Sequence, residues 1–342
     1  MMRLPLFEFR TPRTLEEAAR ILHGEGASAM PLAGGTDLLP NMKRRQQVPR
    51  MLMSLRYVEG LRQVQLGELA SRLGACLTLA EIAGDPRFRN GWTALWQAAA
   101  QVATPQIRNM ATLGGNLCLD TRCNYYDQSY EWRKAINFCM KKDGTTCWVA
   151  PGSPKCMAVS STDTAPALIA LGARVRLVSR SEEREVPLSE LYNNDGIHYI
   201  RRRPDEILAE VLLDSLHGWK STYWKLRRRG SFDFPVLSVA AAARLSVEGV
   251  VEEARIVVGS AACLPLVAAE AAKSLLGRSL NQESIAEAAA LAARIAKPLD
   301  NTDFDMSWRK KVTAEFVTCA LRELRGDDVH TERERLTRHP LL

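Results

Sequence analysis

Five of the eight cysteines in this chain lie close together, at Cys118, Cys123, Cys139, Cys147 and Cys156. Thiols in such numbers bind metals or pair as disulfides. The last four are separated by gaps of 16, 8 and 9 positions. That spacing is neither the Cys-x-x-Cys run of ferredoxins nor the close pairs of most zinc sites. Spacing alone therefore leaves three readings open: an iron–sulfur cluster, a structural zinc, or a disulfide-stapled loop.

A second kind of chemistry is carried by backbone. Gly34-Gly35-Thr36-Asp37 follows a strand-like run, Ala29–Ala33, and Thr112-Leu113-Gly114-Gly115-Asn116 gives a second glycine pair. Paired glycines let the chain turn tightly and approach a ligand. Their free N–H groups can form an anion-binding nest, to which the threonines add hydroxyls. Two such turns suit one ligand with a pyrophosphate; two unrelated turns are the other reading. Gly-x-Gly-x-x-Gly and the Walker lysine motif are both absent, which argues against Rossmann and P-loop sites. No His-Glu-x-x-His or Ser/His/Asp constellation appears, and the five histidines are scattered.

The chain that must position these residues is 342 long, 46% hydrophobic and 25% charged, with a net charge of +7. That suits two soluble domains or one large one. The basic residues are scattered and carry no recognition-helix or zinc-finger pattern, so no nucleic-acid partner is expected. No apolar run reaches the ~20 residues that span a bilayer, and the first residues lack an export signal. No membrane partner and a cytoplasmic location are expected, where disulfides are rare.

Thr14-Leu-Glu-Glu17 and Thr78-Leu-Ala-Glu81 are capping boxes that open helices. Arg50–Leu55, Ala173–Ser179 and Ile207–Leu213 read as strands; Trp92–Val102 and Asp163–Gly172 read as helices. Beyond a linker at His217-Gly218, Ser221–Leu226, Val236–Leu245 and Val250–Val258 read as strands. Leu266–Leu276, Glu283–Ile295 and Lys311–Leu324 follow as helices. The expected domains are 1–216, in lobes of about 1–55 and 56–216, then 217–326, then a charged tail at 327–342 read as mobile.

The two glycine turns, Pro105-Gln-Ile-Arg-Asn109, Asp163 before Ala-Pro-Ala-Leu, and Lys225 with Arg227-Arg228 and Asp233-Phe234 carry a resemblance. Together they resemble the FAD-binding medium subunits of the molybdenum hydroxylase (xanthine dehydrogenase) family, over nearly the whole length. The resemblance implies an α+β fold: a two-lobed FAD domain followed by a domain of antiparallel sheet plus helices. It implies that Pro31, Leu32, Ala33, Gly34, Gly35, Thr36, Asp37 and Leu38 hold the FAD pyrophosphate. Thr112, Leu113, Gly114, Gly115 and Asn116 would complete the cradle, with Val102 and Thr104 near the flavin. Asp163 would hydrogen-bond a polar part of FAD, Leu208 would pack on its rings, and Lys225 would lie near the flavin's polar edge.

Residues 120–157 depart from the ordinary family pattern, and this insert resembles that of the 4-hydroxybenzoyl-CoA reductase subgroup. The subgroup's β subunit carries a [4Fe–4S] cluster beside FAD. Cys118 directly follows Gly-Gly-Asn-Leu and belongs with the flavin segment, which leaves Cys123, Cys139, Cys147 and Cys156 as the ligand set. Tyr125, Tyr126, Tyr130, Trp132, Phe138 and Trp148 would form a dry shell. The insert carries six basic against four acidic side chains; a solvated loop surface is the expectation for Lys141-Lys142. The implied partners are a molybdopterin-containing large subunit, a small subunit with two [2Fe–2S] clusters, and ferredoxin as donor, in a dimer of heterotrimers. The implied reaction is reductive dehydroxylation of 4-hydroxybenzoyl-CoA, with electrons passing from ferredoxin to [4Fe–4S], FAD, [2Fe–2S] and molybdenum. A subunit passing electrons outward to another acceptor, and a zinc-stabilised nucleic-acid-binding protein, are the alternatives. No catalytic residue is expected on this chain.

Overall fold

The computed structural model describes residues 3–215 and 217–337. The first lobe is a parallel three-stranded sheet in the order β1-β3-β2 (Glu8–Arg10, Met51–Ser54, Ala29–Leu32). The helix α1 (Leu15–Glu25) packs against it through Ala18, Ala19 and Leu22. Thr14 caps α1 by accepting the Glu17 N–H at 3.2 Å, and Gly26, at φ 54°, ends it. The short α2 (Leu38–Lys43) leaves the first glycine turn directly.

The second lobe is an antiparallel sheet of five strands, β4-β5-β8-β6-β7 (Val64–Leu66, Ala70–Gly74, Ile207–Asp214, Arg174–Val178, Glu183–Pro187). Its core is completed by α3 (Leu79–Gly84), α4 (Pro86–Gly91), α5 (Thr93–Gln101), the short α6 (Pro105–Arg108) and α7 (Leu113–Leu117), and α9 (Thr164–Ala170). The capping box at Thr78 closes in both directions. Between α7 and α9 the insert contributes one helix, α8 (Tyr130–Ala135), capped by Ser129.

The C-terminal domain is an antiparallel sheet in the order β12-β11-β10-β9 (Leu266–Val267, Val251–Gly259, Leu237–Leu245, Trp219–Leu226). Side chains alternate along a strand. Ala240 and Ala242 join the core shared with the second lobe, whereas Val239, Ala241 and Ala243 join the core of the C-terminal helices. Burial on both faces explains the unbroken apolar run of β10. The helices are α10 (Ala269–Lys273), α11 (Gln282–Ile295), α12 (Met306–Arg325) and α13 (His330–Thr337).

Two expectations are corrected. Leu266–Leu276 is not one helix: Val267 and Leu266 pair with Val257 and Val258 as an edge strand, and α10 begins after them. Within the tail, 330–337 is a docked helix. The Arg333 guanidinium donates to the Tyr223 carbonyl and the Thr222 hydroxyl, each at 3.0 Å, and to Glu323 at 2.6 Å, while Leu336 is buried. A polar fork holds this helix rather than an apolar stripe, so periodicity gave no signal. Of the expected tail, 338–342 lies outside the described residues, as does position 216 beside the expected linker.

Candidate functional site

One large cleft opens where the two lobes and the C-terminal domain meet, and both glycine turns line it. At Gly34 a Cβ would lie 1.8 Å from the Met110 carbonyl oxygen, and Gly35 has φ +72°. Only glycine lets the first turn pass so close to the chain that leads into the second. At Gly114 a Cβ would lie 2.7 Å from the Ala75 Cβ. Thr112 caps the second turn, its hydroxyl oxygen accepting the Gly115 N–H at 3.1 Å. Asn116 Oδ1 accepts from the Thr162 hydroxyl at 2.8 Å, the Thr164 hydroxyl at 2.7 Å and the Thr164 N–H at 3.0 Å. It thereby fastens the second turn to the start of α9, where Asp163 stands.

Pro31, Leu32, Ala33, Gly34, Gly35, Thr36, Asp37 and Leu38 all line the cleft, with Val102, Thr112, Gly114, Gly115, Asn116, Asp163 and Leu208. Cys118 lines it as well. Thr104, Leu113 and Lys225 do not. Thr104 caps α6 and Leu113 is core. Lys225 stands behind the wall, its Nζ 3.0 Å from Asp163 Oδ1 and donating to the Gln101 carbonyl at 3.0 Å. The Tyr223 hydroxyl donates to Asp163 at 2.7 Å. Burial pushes the Asp163 carboxyl up and the Lys225 ammonium down, and their mutual attraction opposes both shifts. A buried charge is tolerated only when paired in this way.

Several lining residues carried no signal of their own in the sequence: Asp120, Arg122, Tyr199, Arg202 and Phe232. Ala103 takes φ 44° and its carbonyl accepts the Phe232 N–H at 2.9 Å, which draws the loop at 228–234 over the cleft. Arg44, Arg122 and Arg202 share the wall with the carboxylates of Asp37, Asp120, Asp163, Glu206 and Asp233, while Val102, Ile107 and Leu208 supply apolar surface. Glycine turns with no room for a Cβ, whose backbone N–H groups can hold an anion, and an apolar end fit a long ligand with an anionic middle and a flat ring.

The insert is tied at both ends. Arg122 and Val159 exchange backbone hydrogen bonds at 2.8 and 2.7 Å, which brings Cys123 and Cys156 to the same place. Cys139 sits on a tight reversal, its carbonyl accepting the Lys142 and Gly144 N–H groups at 2.9 and 3.1 Å. Among the described residues, no group of three or more His, Cys, Asp or Glu side chains is drawn together as a metal site. The four insert cysteines nevertheless line one small cavity, with Tyr125, Tyr126, Met140 and Trp148. All eight cysteines are free thiols, which disposes of the stapled loop in this structure.

Burial pushes the Cys123 thiol up to about 12 and the Cys156 thiol up to about 11. The Ala158 N–H donates to Cys156 Sγ at 3.4 Å. Four buried cysteines on one largely apolar cavity are the donor type that a metal-thiolate centre takes, although they are not drawn together as a metal site. Tyr130, Trp132 and Trp148 remain 38–40% exposed, so the aromatic shell is dry only on its inner side.

The insert is also clamped to the large cleft. Arg122 pairs with Asp37 of the first glycine turn and, at 2.9 Å, with Asp127. Arg44 meets Asp127 at 3.0 Å, Gln46 donates to the Tyr126 carbonyl at 2.5 Å, and Arg133 donates to the Arg44 carbonyl at 2.7 Å. Lys141 is not on a solvated surface; its side chain is 6% exposed and lies 2.8 Å from Asp120.

Comparison with known proteins agrees with this geometry. Residues 5–213 match the FAD binding domain in molybdopterin dehydrogenase, and residues 221–324 match the CO dehydrogenase flavoprotein C-terminal domain. The chain therefore belongs to the family of FAD-binding subunits of molybdenum hydroxylases. It is 28% identical over 284 residues to the nicotinate dehydrogenase FAD-subunit of Eubacterium barkeri, covering 82% of each chain. It is 25% identical to the carbon monoxide dehydrogenase medium chain of Afipia carboxidovorans, covering 94% of this chain and 97% of that one. Among solved structures, a cyanide-inactivated Cu,Mo-CO dehydrogenase superposes with a TM-score of 0.78 at 25% identity, over 95% of this chain and 99% of the other. The α+β architecture expected from the sequence is thus the family's own. Among the described residues, no helix is long and apolar enough to cross a membrane.

Proposed function

We propose that this chain is the FAD- and [4Fe–4S]-carrying electron-transfer subunit of a 4-hydroxybenzoyl-CoA reductase. The observation that supports this reading is the single cavity lined by Cys123, Cys139, Cys147 and Cys156, set in an insert clamped to the flavin cleft. When bound, FAD exchanges one or two electrons and a cubane cluster exchanges one. The chain's own residues hold, orient and insulate: the glycine turns and Thr112 cradle the pyrophosphate, Leu208 and Val102 face the rings, and Asp163 presents a carboxylate backed by Lys225. Substrate chemistry falls to a molybdopterin-containing large subunit, reached through a small subunit with two [2Fe–2S] clusters, in a cytoplasmic dimer of heterotrimers. Reduced ferredoxin is the donor, and benzoyl-CoA and water are the products.

The alternative is a subunit that passes electrons outward; the dehydrogenase names of the relatives favour it. Assay of the assembled complex decides between them. Reduction of 4-hydroxybenzoyl-CoA with a low-potential donor is the expected result, and its failure with an active oxidative substrate leaves the outward reading. Flavin, iron and acid-labile sulfide are expected together in the purified chain. Zinc without sulfide overturns the cluster. Cys139→Ser is expected to abolish the cluster's low-temperature EPR signal and leave FAD bound; an unchanged spectrum removes Cys139 from the ligand set.

A further inference from the structure

The wall between the cysteine cavity and the flavin cleft is built from Asp120, Tyr126, Lys141 and Tyr199. Lys141 and Tyr126 line the cysteine cavity; Asp120 and Tyr199 line the flavin cleft. Lys141 Nζ is within hydrogen-bond distance of Asp120 Oδ1 at 2.8 Å, Thr121 Oγ1 at 2.7 Å and the Gly196 carbonyl at 2.6 Å. The Thr121 hydroxyl donates its own proton to the Gly196 carbonyl at 2.5 Å, so its oxygen can only accept from Lys141. Three accepting partners require three N–H bonds, which only the ammonium has.

The ammonium also lies over the Tyr126 ring at 4.9 Å and the Tyr199 ring at 5.5 Å. The other carboxylate oxygen of Asp120 accepts from the Tyr126 hydroxyl at 3.0 Å and from Gln47 at 3.4 Å. Gly196 stands directly beside a proposed ligand, since a Cβ there would be 2.7 Å from Cys156 Sγ. The partition is therefore a fixed dipole: its positive end lines the cysteine cavity and its negative end lines the large cleft.

We infer that Lys141 and Asp120 are a positioning pair that sets the two redox centres' relative potentials, Lys141 favouring the reduced cluster and Asp120 disfavouring reduction on both sides. The inference rests on the iron–sulfur reading. A reduced cluster carries one more negative charge, and a buried cation nearby stabilises it more than solvent would. A pair with a purely structural role would leave the potentials alone, or move them without regard to the sign of the charge removed.

The test is an EPR-monitored redox titration of the cluster and an optical titration of the flavin, both on the assembled complex. Lys141→Met is expected to lower the cluster midpoint, and Lys141→Arg to restore it towards wild type. Asp120→Asn, which keeps the size and an acceptor for Lys141, is expected to raise both the cluster and the flavin midpoints. Unmoved potentials, or shifts of the same sign in Lys141→Met and Asp120→Asn, overturn the inference. If Lys141→Met loads no cluster, Asp120→Asn decides alone: a rise supports the pair and no rise overturns it. Wild-type chain without iron and sulfide instead sinks the iron–sulfur reading itself.

Discussion

The two candidate centres of this molecule sit on either side of one wall and are built in opposite ways. The flavin cleft is a backbone site. Its defining surface is two turns where a Cβ has no room, at Gly34 and Gly114, and the residues that make each turn are consecutive in the chain. The cysteine cavity is a side-chain site. Cys123, Cys139 and Cys147 each open a separate tight turn and the Cys156 carbonyl accepts the Gly196 N–H; the Arg122–Val159 pairing and packing against the C-terminal domain bring them to one cavity. Asn301 donates from that domain to the Met157 carbonyl at 2.7 Å, and Cys263 donates to the Cys156 carbonyl at 3.4 Å. A backbone site can be recognised as a short motif. A side-chain site of this kind is recognised only as an unusual count of cysteines.

The contrast predicts that each centre can be broken without the other. The largest effect belongs to Gly34→Ala. Its methyl would run into the Met110 carbonyl, and the backbone has no rotamer with which to give way. We expect a cost of about 3 kcal/mol or more, and loss of FAD with iron retained. Thermal melting and flavin-to-iron ratios measure both; a variant that keeps its flavin would show that the turn is not the pyrophosphate cradle.

Gly196→Ala is the mirror experiment and has the next largest effect. Its methyl meets Cys156 Sγ and the Ala158 backbone nitrogen, each at 2.7 Å, for a cost of about 1–3 kcal/mol. Iron and sulfide content should fall while FAD stays bound. Full iron content in this variant would place Cys156 outside the ligand set.

The smallest effect sharpens the comparison through pH. Glu206 lines the flavin cleft with its side chain 1% exposed. Desolvation raises its carboxyl, but hydrogen bonds from Arg184 and the Arg203 N–H together outweigh burial and hold it below the usual carboxylate range. A depressed carboxylate lends stability that is present above its unfolded pKa and is lost as pH falls through the folded value. Glu206→Gln should therefore cost on the order of 1 kcal/mol at neutral pH, and the stability curves of variant and wild type should converge in acid. Parallel curves in urea titrations across that range would remove Glu206 from the pH dependence. Cluster content should be unchanged, since the residue belongs to the flavin side.

Local signals decided what the sequence could determine. Capping at Thr14, Thr78 and Thr112 depends on residues three apart, and the alternation of β6 depends on residues two apart. The glycine turns are contiguous, so the flavin half of the site was legible as pattern and resemblance. The insert was legible as a departure from that pattern, carrying too many cysteines for a plain loop. What only the tertiary structure decided depends on pairs far apart in sequence. Arg122 reaches back to Asp37, and Arg333 reaches back to Thr222. Lys141, which reads as a solvated lysine beside Lys142, is buried against Asp120 and Gly196. A charge has no periodicity to announce whether it faces water or a partner; only the fold brings the partner to it.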